Sequence, residues 1–172
     1  MNKRQKGFTL IELLIVVAII LIIAAIAIPN LMRSRMAANQ ASAVGSLRTI
    51  STADVTYSST YGVGFAPDLV SLGGPAIAPG ASATCANAGL VDTTLSSSAA
   101  PMKSGYNFAY TGSNPFTGTL PPNCAAGVLN FTATGIPVNT STGQNGYFID
   151  DSGVIRYTTD GTAPTAASPA LQ

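Results

Sequence analysis

The chain has 172 residues, of which 47% are hydrophobic and only 9% are charged, with a formal net charge of +1 and no histidine. An ordinary soluble domain carries roughly 25% charged residues, so this composition argues against a freely soluble protein. The lack of histidine excludes His-based triads and His-ligated zinc sites, two cysteines are too few for an all-thiolate zinc site, and the near-neutral charge provides no basic surface for nucleic acid.

The first predicted element is an apolar segment preceded by a short basic leader. Three of the first seven residues are basic, and positions 8–28 are apolar except for Thr9 and Glu12. At 1.5 Å per residue these positions span roughly 31 Å, which is enough to cross the hydrocarbon core of a bilayer. The positive-inside rule then predicts a cytoplasmic N-terminus, with the rest of the chain outside.

Three interpretations of this segment compete. A cleaved secretory signal fits the basic start and the sequence Ala25-Ile26-Ala27, but the apolar run is long for a signal and contains Glu12. A permanent single-span anchor also leaves Glu12 unexplained. An ionised carboxylate in the bilayer costs about 2.5 to 3.5 kcal/mol, so Glu12 needs a cationic partner. The third interpretation supplies a cationic partner for Glu12.

Residues 6–12 (KGFTLIE), followed by the apolar run, resemble the class III leader of type IV pilins and the related pseudopilins. The resemblance implies that a prepilin peptidase cleaves after Gly7 and methylates the new amino group, making Phe8 an N-methylphenylalanine. It further implies that Glu12 pairs with the amino terminus of a neighbouring subunit in a filament. Pro29, directly after the apolar run, is another match to the family and predicts a kink in the helix.

Residues 30–61 are predicted to continue this segment as an amphipathic helix, giving one helix from Phe8 to Tyr61. The stretch contains no proline and one glycine, Gly45. Apolar side chains recur at spacings of 7, 4, 3, 7 and 4, on one helical face: Met36, Ala43, Leu47, Ile50, Tyr57 and Tyr61. Residues 46–50 and their surroundings also resemble a pilin-like subgroup associated mainly with acidobacteria and related soil bacteria.

The remaining residues, 63–172, are predicted to form a small β-rich head. Residues 105–110 and 127–133 alternate as strands do, and residues 146–158 predict a hairpin around the turn Asp150-Asp151-Ser152-Gly153. Residues 159–172, rich in Ala, Pro, Thr and Ser, predict a loose tail.

Two sets of head residues suggest further chemistry. Cys85 and Cys124 lie in the exported region, and an even cysteine count in an oxidising compartment predicts one disulfide. Asp150, Asp151 and Asp160 are interpreted as turn residues, with a calcium site left open because clustered carboxylates also suit that cation.

The predicted fold class is α+β, with a long N-terminal helix packed on a small antiparallel sheet. The predicted organisation is a leader at 1–7, a transmembrane and filament-core helix at 8–29, an amphipathic helix at 30–62 and the head at 63–172. Nothing in the sequence indicates a catalytic, cofactor-binding or metal site, so the chain is interpreted as non-enzymatic.

The resemblance implies a type IV pilus subunit that waits in the bacterial inner membrane and is then polymerised into an extracellular filament for adhesion, twitching motility or DNA uptake. Its implied partners are copies of itself, minor pilins, the prepilin peptidase, the inner-membrane platform protein and the assembly ATPase. One alternative is a pseudopilin or minor pilin of a type II secretion or competence system. A second is a membrane-anchored or secreted enzyme.

Overall fold

The computed structural model describes residues 8–74, 82–122 and 124–171. The predicted leader 1–7, including the proposed cleavage residue Gly7, lies outside the described residues. Contacts divide the chain into two compact units, Met1–Arg35 and Met36–Gln172. Each unit is described by itself.

Helix α1 (Leu10–Tyr61) contributes to both units. In the first unit it begins at the start of the apolar segment, two residues later than the sequence predicts. Pro29 lies inside the helix, and the helical assignment continues through it without interruption. The kink at Pro29 therefore remains a prediction, although local melting is not observed.

The second unit buries the predicted apolar face of α1. Ala43, Leu47, Ile50 and Tyr57 are buried, as their spacing predicts. The two ends of the predicted stripe, Met36 and Tyr61, are only partly buried.

The same unit contains a five-stranded antiparallel sheet with strand order β1-β2-β3-β4-β5. The strands are β1 (Met102–Lys103), β2 (Tyr106–Pro115), β3 (Val128–Pro137), β4 (Gly146–Asp150) and β5 (Arg156–Thr158), and a short helix, α2 (Leu69–Leu72), precedes them. Side chains from α1, α2 and the sheet form one hydrophobic core. The predicted α+β fold class, with the long helix packed on an antiparallel sheet, is confirmed.

Strands β2 and β3 form the longest pair, and both exceed their predicted lengths. Their register runs from Tyr106 opposite Pro137 to Pro115 opposite Val128. Val128 also pairs with Phe65, through backbone hydrogen bonds of 2.8 and 2.9 Å. This bridge attaches the chain that leaves α1 to the start of β3.

The hairpin predicted at 146–158 is present as β4 and β5. Its turn is closed by a hydrogen bond of 2.9 Å from the Gly153 N–H to the Asp150 carbonyl. Asp150 Oδ1 also accepts the Ser152 N–H at 3.1 Å. Gly153 has a φ of 73°, in the left-handed region that glycine adopts without a steric penalty. Turn chemistry therefore explains why aspartate and glycine occupy these positions.

The C-terminal tail differs from its prediction. The Tyr157 N–H donates to the Pro169 carbonyl at 3.0 Å, and the Leu171 N–H donates to the Ile155 carbonyl at 2.7 Å. The Arg156 guanidinium donates to the Ser168 carbonyl at 2.9 Å. Because residues 155–157 supply its partners, the tail is held to the sheet despite a composition that predicts looseness.

The predicted disulfide between Cys85 and Cys124 is present, with 5.3 Å between the two Cα atoms. Cys85 is buried and belongs to the core. Its carbonyl accepts a hydrogen bond of 2.9 Å from the Tyr57 hydroxyl on α1. The disulfide closes the loop between the two cysteines, and the Tyr57 hydrogen bond attaches this loop to α1.

Candidate assembly site

The start of α1 is closed by a capping box formed by Thr9 and Glu12. Thr9 Oγ1 accepts the Glu12 N–H at 3.3 Å, while Glu12 Oε2 accepts the Thr9 N–H at 2.9 Å. The Thr9 hydroxyl also donates to Oε2, at 2.7 Å. Such reciprocal bonds satisfy backbone donors that the first turn of a helix leaves free. The pattern Thr-x-x-Glu already indicates this role, which the sequence analysis did not assign to Thr9.

Glu12 has no cationic partner within the described part of the first unit. The nearest basic side chain on the same helix is Arg33, 21 positions later, which corresponds to about 32 Å along the axis. Both hydrogen bonds that the Glu12 carboxylate accepts end on Oε2, and no described residue hydrogen-bonds to Oε1. The carboxylate therefore has an oxygen available for a partner from outside the described residues.

The helix surface from residue 10 to residue 28 is apolar and exposed on all sides. Leu10, Ile15 and Ile26 are 81%, 51% and 66% exposed, respectively. An ordinary core helix would bury one such face, and helices that are apolar all round occur inside large proteins or membranes. By length and composition α1 is able to cross a membrane, a test that a signal sequence near the N-terminus also passes.

In the second unit, the solvent-facing side of α1 carries hydroxyl side chains that bond to their own helix. Thr49, Thr52 and Thr56 each donate to the carbonyl four residues earlier, at 3.0, 3.0 and 2.9 Å. Val55, on the same side, is 60% exposed. Because the hydroxyl groups are satisfied within the helix, this face presents methyl groups with few free donors.

The three aspartates considered for calcium each have a partner within the head. Asp150 accepts from Ser152, Asp151 Oδ2 accepts from the Asn130 amide at 2.6 Å, and Asp160 Oδ1 accepts the Thr162 N–H at 3.1 Å. Among the described residues no group of three His, Cys, Asp or Glu side chains is arranged to hold a metal ion. The geometry supports the turn interpretation.

A family model described as the prokaryotic N-terminal methylation motif matches residues 2–28. The chain is also 44% identical over 75 residues to a type IV major pilin protein, PilA, of Myxococcus xanthus. A third match, 65% identical over 37 residues, is to a type IV wide pilus major component, PilA4, of Thermus thermophilus. The N-terminal part of the chain is thus similar to type IV pilins.

These matches cover parts of each type IV pilin. The match to the Myxococcus protein covers 39% of this chain and 34% of that protein, and the match to the Thermus protein covers 22% and 28%. The chain thus spans about a third of the length of the curated relatives it matches. No solved structure matches it.

These matches confirm the resemblance to type IV pilins that residues 6–12 carry. Type IV pilins are structural rather than enzymatic proteins. The methylation-motif match includes Gly7, Phe8 and Glu12, but the roles of these residues in processing and assembly remain predictions.

Proposed function

We propose that this chain is the structural subunit of a type IV pilus, cleaved after Gly7 and methylated at Phe8. The single observation that carries the proposal is the exposed apolar start of α1, with one carboxylate at its first turn, inside a matched N-terminal methylation motif. Before assembly the helix lies in the inner membrane. In the filament the same surface is buried against other copies of the chain.

Burial of the apolar helix surface stabilises the filament relative to subunits exposed to water. Each fully buried Leu, Ile or Val side chain stabilises the buried state by about 1.5 to 3 kcal/mol relative to water. In a bilayer this gain is already present, so extraction from the membrane requires work. We propose that an assembly ATPase and an inner-membrane platform protein perform it.

Glu12 sets the stagger between neighbouring subunits in this proposal. Cleavage after Gly7 creates an α-amine at Phe8, and this amine is the cation that the Glu12 carboxylate lacks within its own helix. An ion pair removed from water stabilises only the arrangement in which both charges meet, because an unpaired buried charge is strongly destabilising. The Thr9 bonds hold the carboxylate in place at the helix start.

The proposed organisation follows the chain. Residues 1–7 are the leader, 8–29 the membrane and filament-core helix, 30–62 the amphipathic helix and 63–172 the head. The N-terminus is cytoplasmic before assembly, and the head is exported. Further proposed partners are the prepilin peptidase and minor pilins.

Mass spectrometry of the mature N-terminus tests the processing step. The expected chain begins at Phe8 with a methylated amine. A chain that begins at Ile28 would support a cleaved secretory signal, and an intact Met1 would support a permanent anchor. Either result overturns the pilin processing proposed here.

Glu12→Gln tests assembly more sharply than Glu12→Ala. Glutamine still accepts the Thr9 N–H in a capping box but carries no charge. We expect normal cleavage and methylation of this variant and loss of sheared filaments. Thr9→Ala is the matched control, since it removes the capping hydroxyl and keeps the charge, and we expect it to retain filaments. Normal filament yield from Glu12→Gln would exclude the ion pair as the assembly device.

The alternative is a pseudopilin or minor pilin, which shares the methylation motif. The yield of polymer separates the two. A major pilin is expected as abundant polymer in the supernatant of sheared cells, whereas a pseudopilin or minor pilin remains in the envelope in small amounts.

A further inference from the structure

Asp54 is a buried acid on the core-facing side of α1. It is 0% exposed. Its Oδ1 accepts the Ala66 N–H at 3.0 Å and lies 3.1 Å from the Tyr110 hydroxyl oxygen on β2. Its Oδ2 is buried and has no hydrogen-bond partner among the described residues. The carboxyl group therefore joins α1, the segment after it and β2 at one point.

When Asp54 is ionised, the short oxygen contacts around Tyr110 need one hydrogen more than these groups carry. The Tyr110 oxygen lies 2.8 Å from the Ala66 carbonyl oxygen as well as 3.1 Å from Asp54 Oδ1. A phenol has one hydrogen, and both of these neighbours are acceptors when Asp54 is ionised. One of the two short oxygen contacts would then lack a hydrogen.

A proton on Asp54 Oδ1 supplies the missing hydrogen. The Asp54 hydroxyl donates to the Tyr110 oxygen, the Tyr110 hydroxyl donates to the Ala66 carbonyl, and the Ala66 N–H donates to Asp54 Oδ1, which keeps acceptor capacity when protonated. We propose that Asp54 is a neutral carboxylic acid in the folded protein and that its proton locks the segment after α1 onto the helix and β2.

The described surroundings of Asp54 contain no cation that would stabilise its anion. The titratable groups that act on this cluster are Tyr57 and Tyr61 on α1, Tyr110 on β2 and the Asp68 carboxyl ahead of α2. Strand β3 contributes no titratable side chain. In the described part of the chain the one ion pair joins Lys103 to Asp92, so no basic side chain neutralises Asp54.

Burial raises the pKa of Asp54 to about 7, although the Ala66 and Tyr110 hydrogen bonds oppose this shift. An aspartate in the unfolded chain has a pKa of about 3.9. The folded state therefore binds the proton more tightly than the unfolded state does. The resulting stability is fully present below about pH 4, decreases as the pH rises towards 7 and is absent above it.

The difference of about three pKa units corresponds to an approximately thousandfold rise in the unfolding equilibrium constant between pH 4 and pH 8. Urea unfolding of the full chain in detergent micelles measures this change. Tyrosine emission is the signal, because all six tyrosines lie between Tyr57 and Tyr157 and so report on the second unit alone.

Asp54→Asn is the test variant, since its amide accepts from Ala66 and donates to Tyr110 without titrating. We expect it to abolish most of the change between pH 4 and pH 8. Asp92→Asn is the matched control: Lys103 lowers the pKa of Asp92, so its stabilising effect is lost on acidification instead. We expect Asp92→Asn to keep the wild-type decrease between pH 4 and pH 8. An equal decrease in wild type and Asp54→Asn would overturn the proposal.

Direct titration of the wild-type protein keeps the proposal testable if Asp54→Asn does not fold. The 13C resonance of the Asp54 carboxyl carbon is followed from pH 3 to pH 9 in the micellar full chain. A midpoint near 7 supports a neutral Asp54 at lower pH. A midpoint at or below the ordinary aspartate value refutes it.

Discussion

Removal of the Cys85–Cys124 disulfide is expected to destabilise the second unit by about 4 kcal/mol. The two cysteines are 39 positions apart in sequence. Closing a loop of that length reduces the entropy of the unfolded chain by about 13 cal/mol/K, which is about 4 kcal/mol at 25 °C in the chain-entropy model. With a urea dependence of about 2 kcal/mol per molar, the unfolding midpoint falls by about 2 M.

The assay compares oxidised wild type, reduced wild type and the Cys85→Ala/Cys124→Ala double variant by tyrosine-detected urea unfolding in micelles. Reduced wild type and the double variant are expected to unfold at nearly the same urea concentration. Tyr57→Phe is the control that keeps the disulfide and removes only the hydrogen bond to the Cys85 carbonyl. It is expected to cost about 1 to 3 kcal/mol. A loss below about 1 kcal/mol on reduction would refute the loop-closure argument.

Three further predictions concern the sheet. The Phe131 side chain is 1% exposed and packs between two aromatic neighbours. Phe131→Ala is expected to lower the unfolding free energy by about 3 to 5 kcal/mol in the same urea assay. An unchanged midpoint would contradict the packing described. Lys103→Ala removes an ion pair whose side chains are 31% and 46% exposed, so we expect a change of at most about 1 kcal/mol and little effect of added salt. Deletion of residues 168–172 is expected to accelerate hydrogen exchange at the Tyr157 N–H, measured by NMR; unchanged protection would show that the tail does not shield this group.

The helix could be predicted well from the sequence because its period does not depend on the rest of the fold. Leu47, Ile50 and Tyr57 are buried as their spacing requires. Asp54 lies on the same face, four positions after Ile50, and the period alone places it in the core. Asp54 is absent from the predicted stripe because the stripe contains only apolar side chains. A polar residue at a position that the period places in the core nevertheless indicates a specific hydrogen-bond network.

The ends of the strands could not be predicted in the same way. Residues 111–115 (TGSNP) have weak strand propensity and pair because β3 supplies hydrogen-bond partners along their length. The C-terminal tail is a similar case, since β5 fixes residues whose composition favours disorder. Such pairing depends on long-range contacts that local sequence patterns do not contain.

At the start of α1, the resemblance to type IV pilins alone predicts only a pairing role for Glu12. The structure adds its second task, because the same carboxylate caps the helix through Thr9. Capping uses Oε2, so Oε1 stays available for the proposed pairing. This dual use explains why a glutamate, rather than any acid, suits the position: its side chain reaches back three residues to the helix start.

The two outer strands of the five-stranded sheet are poor templates for pairing with another chain. At one edge β1 has only two residues, one of them Lys103, and at the other the C-terminal tail occupies backbone groups of β5. Exposed strand edges are templates for aggregation, and short, charged or covered edges prevent it. These two strands therefore offer little for a continuous sheet to grow between copies of this protein, and the proposed filament contacts lie on the helix instead.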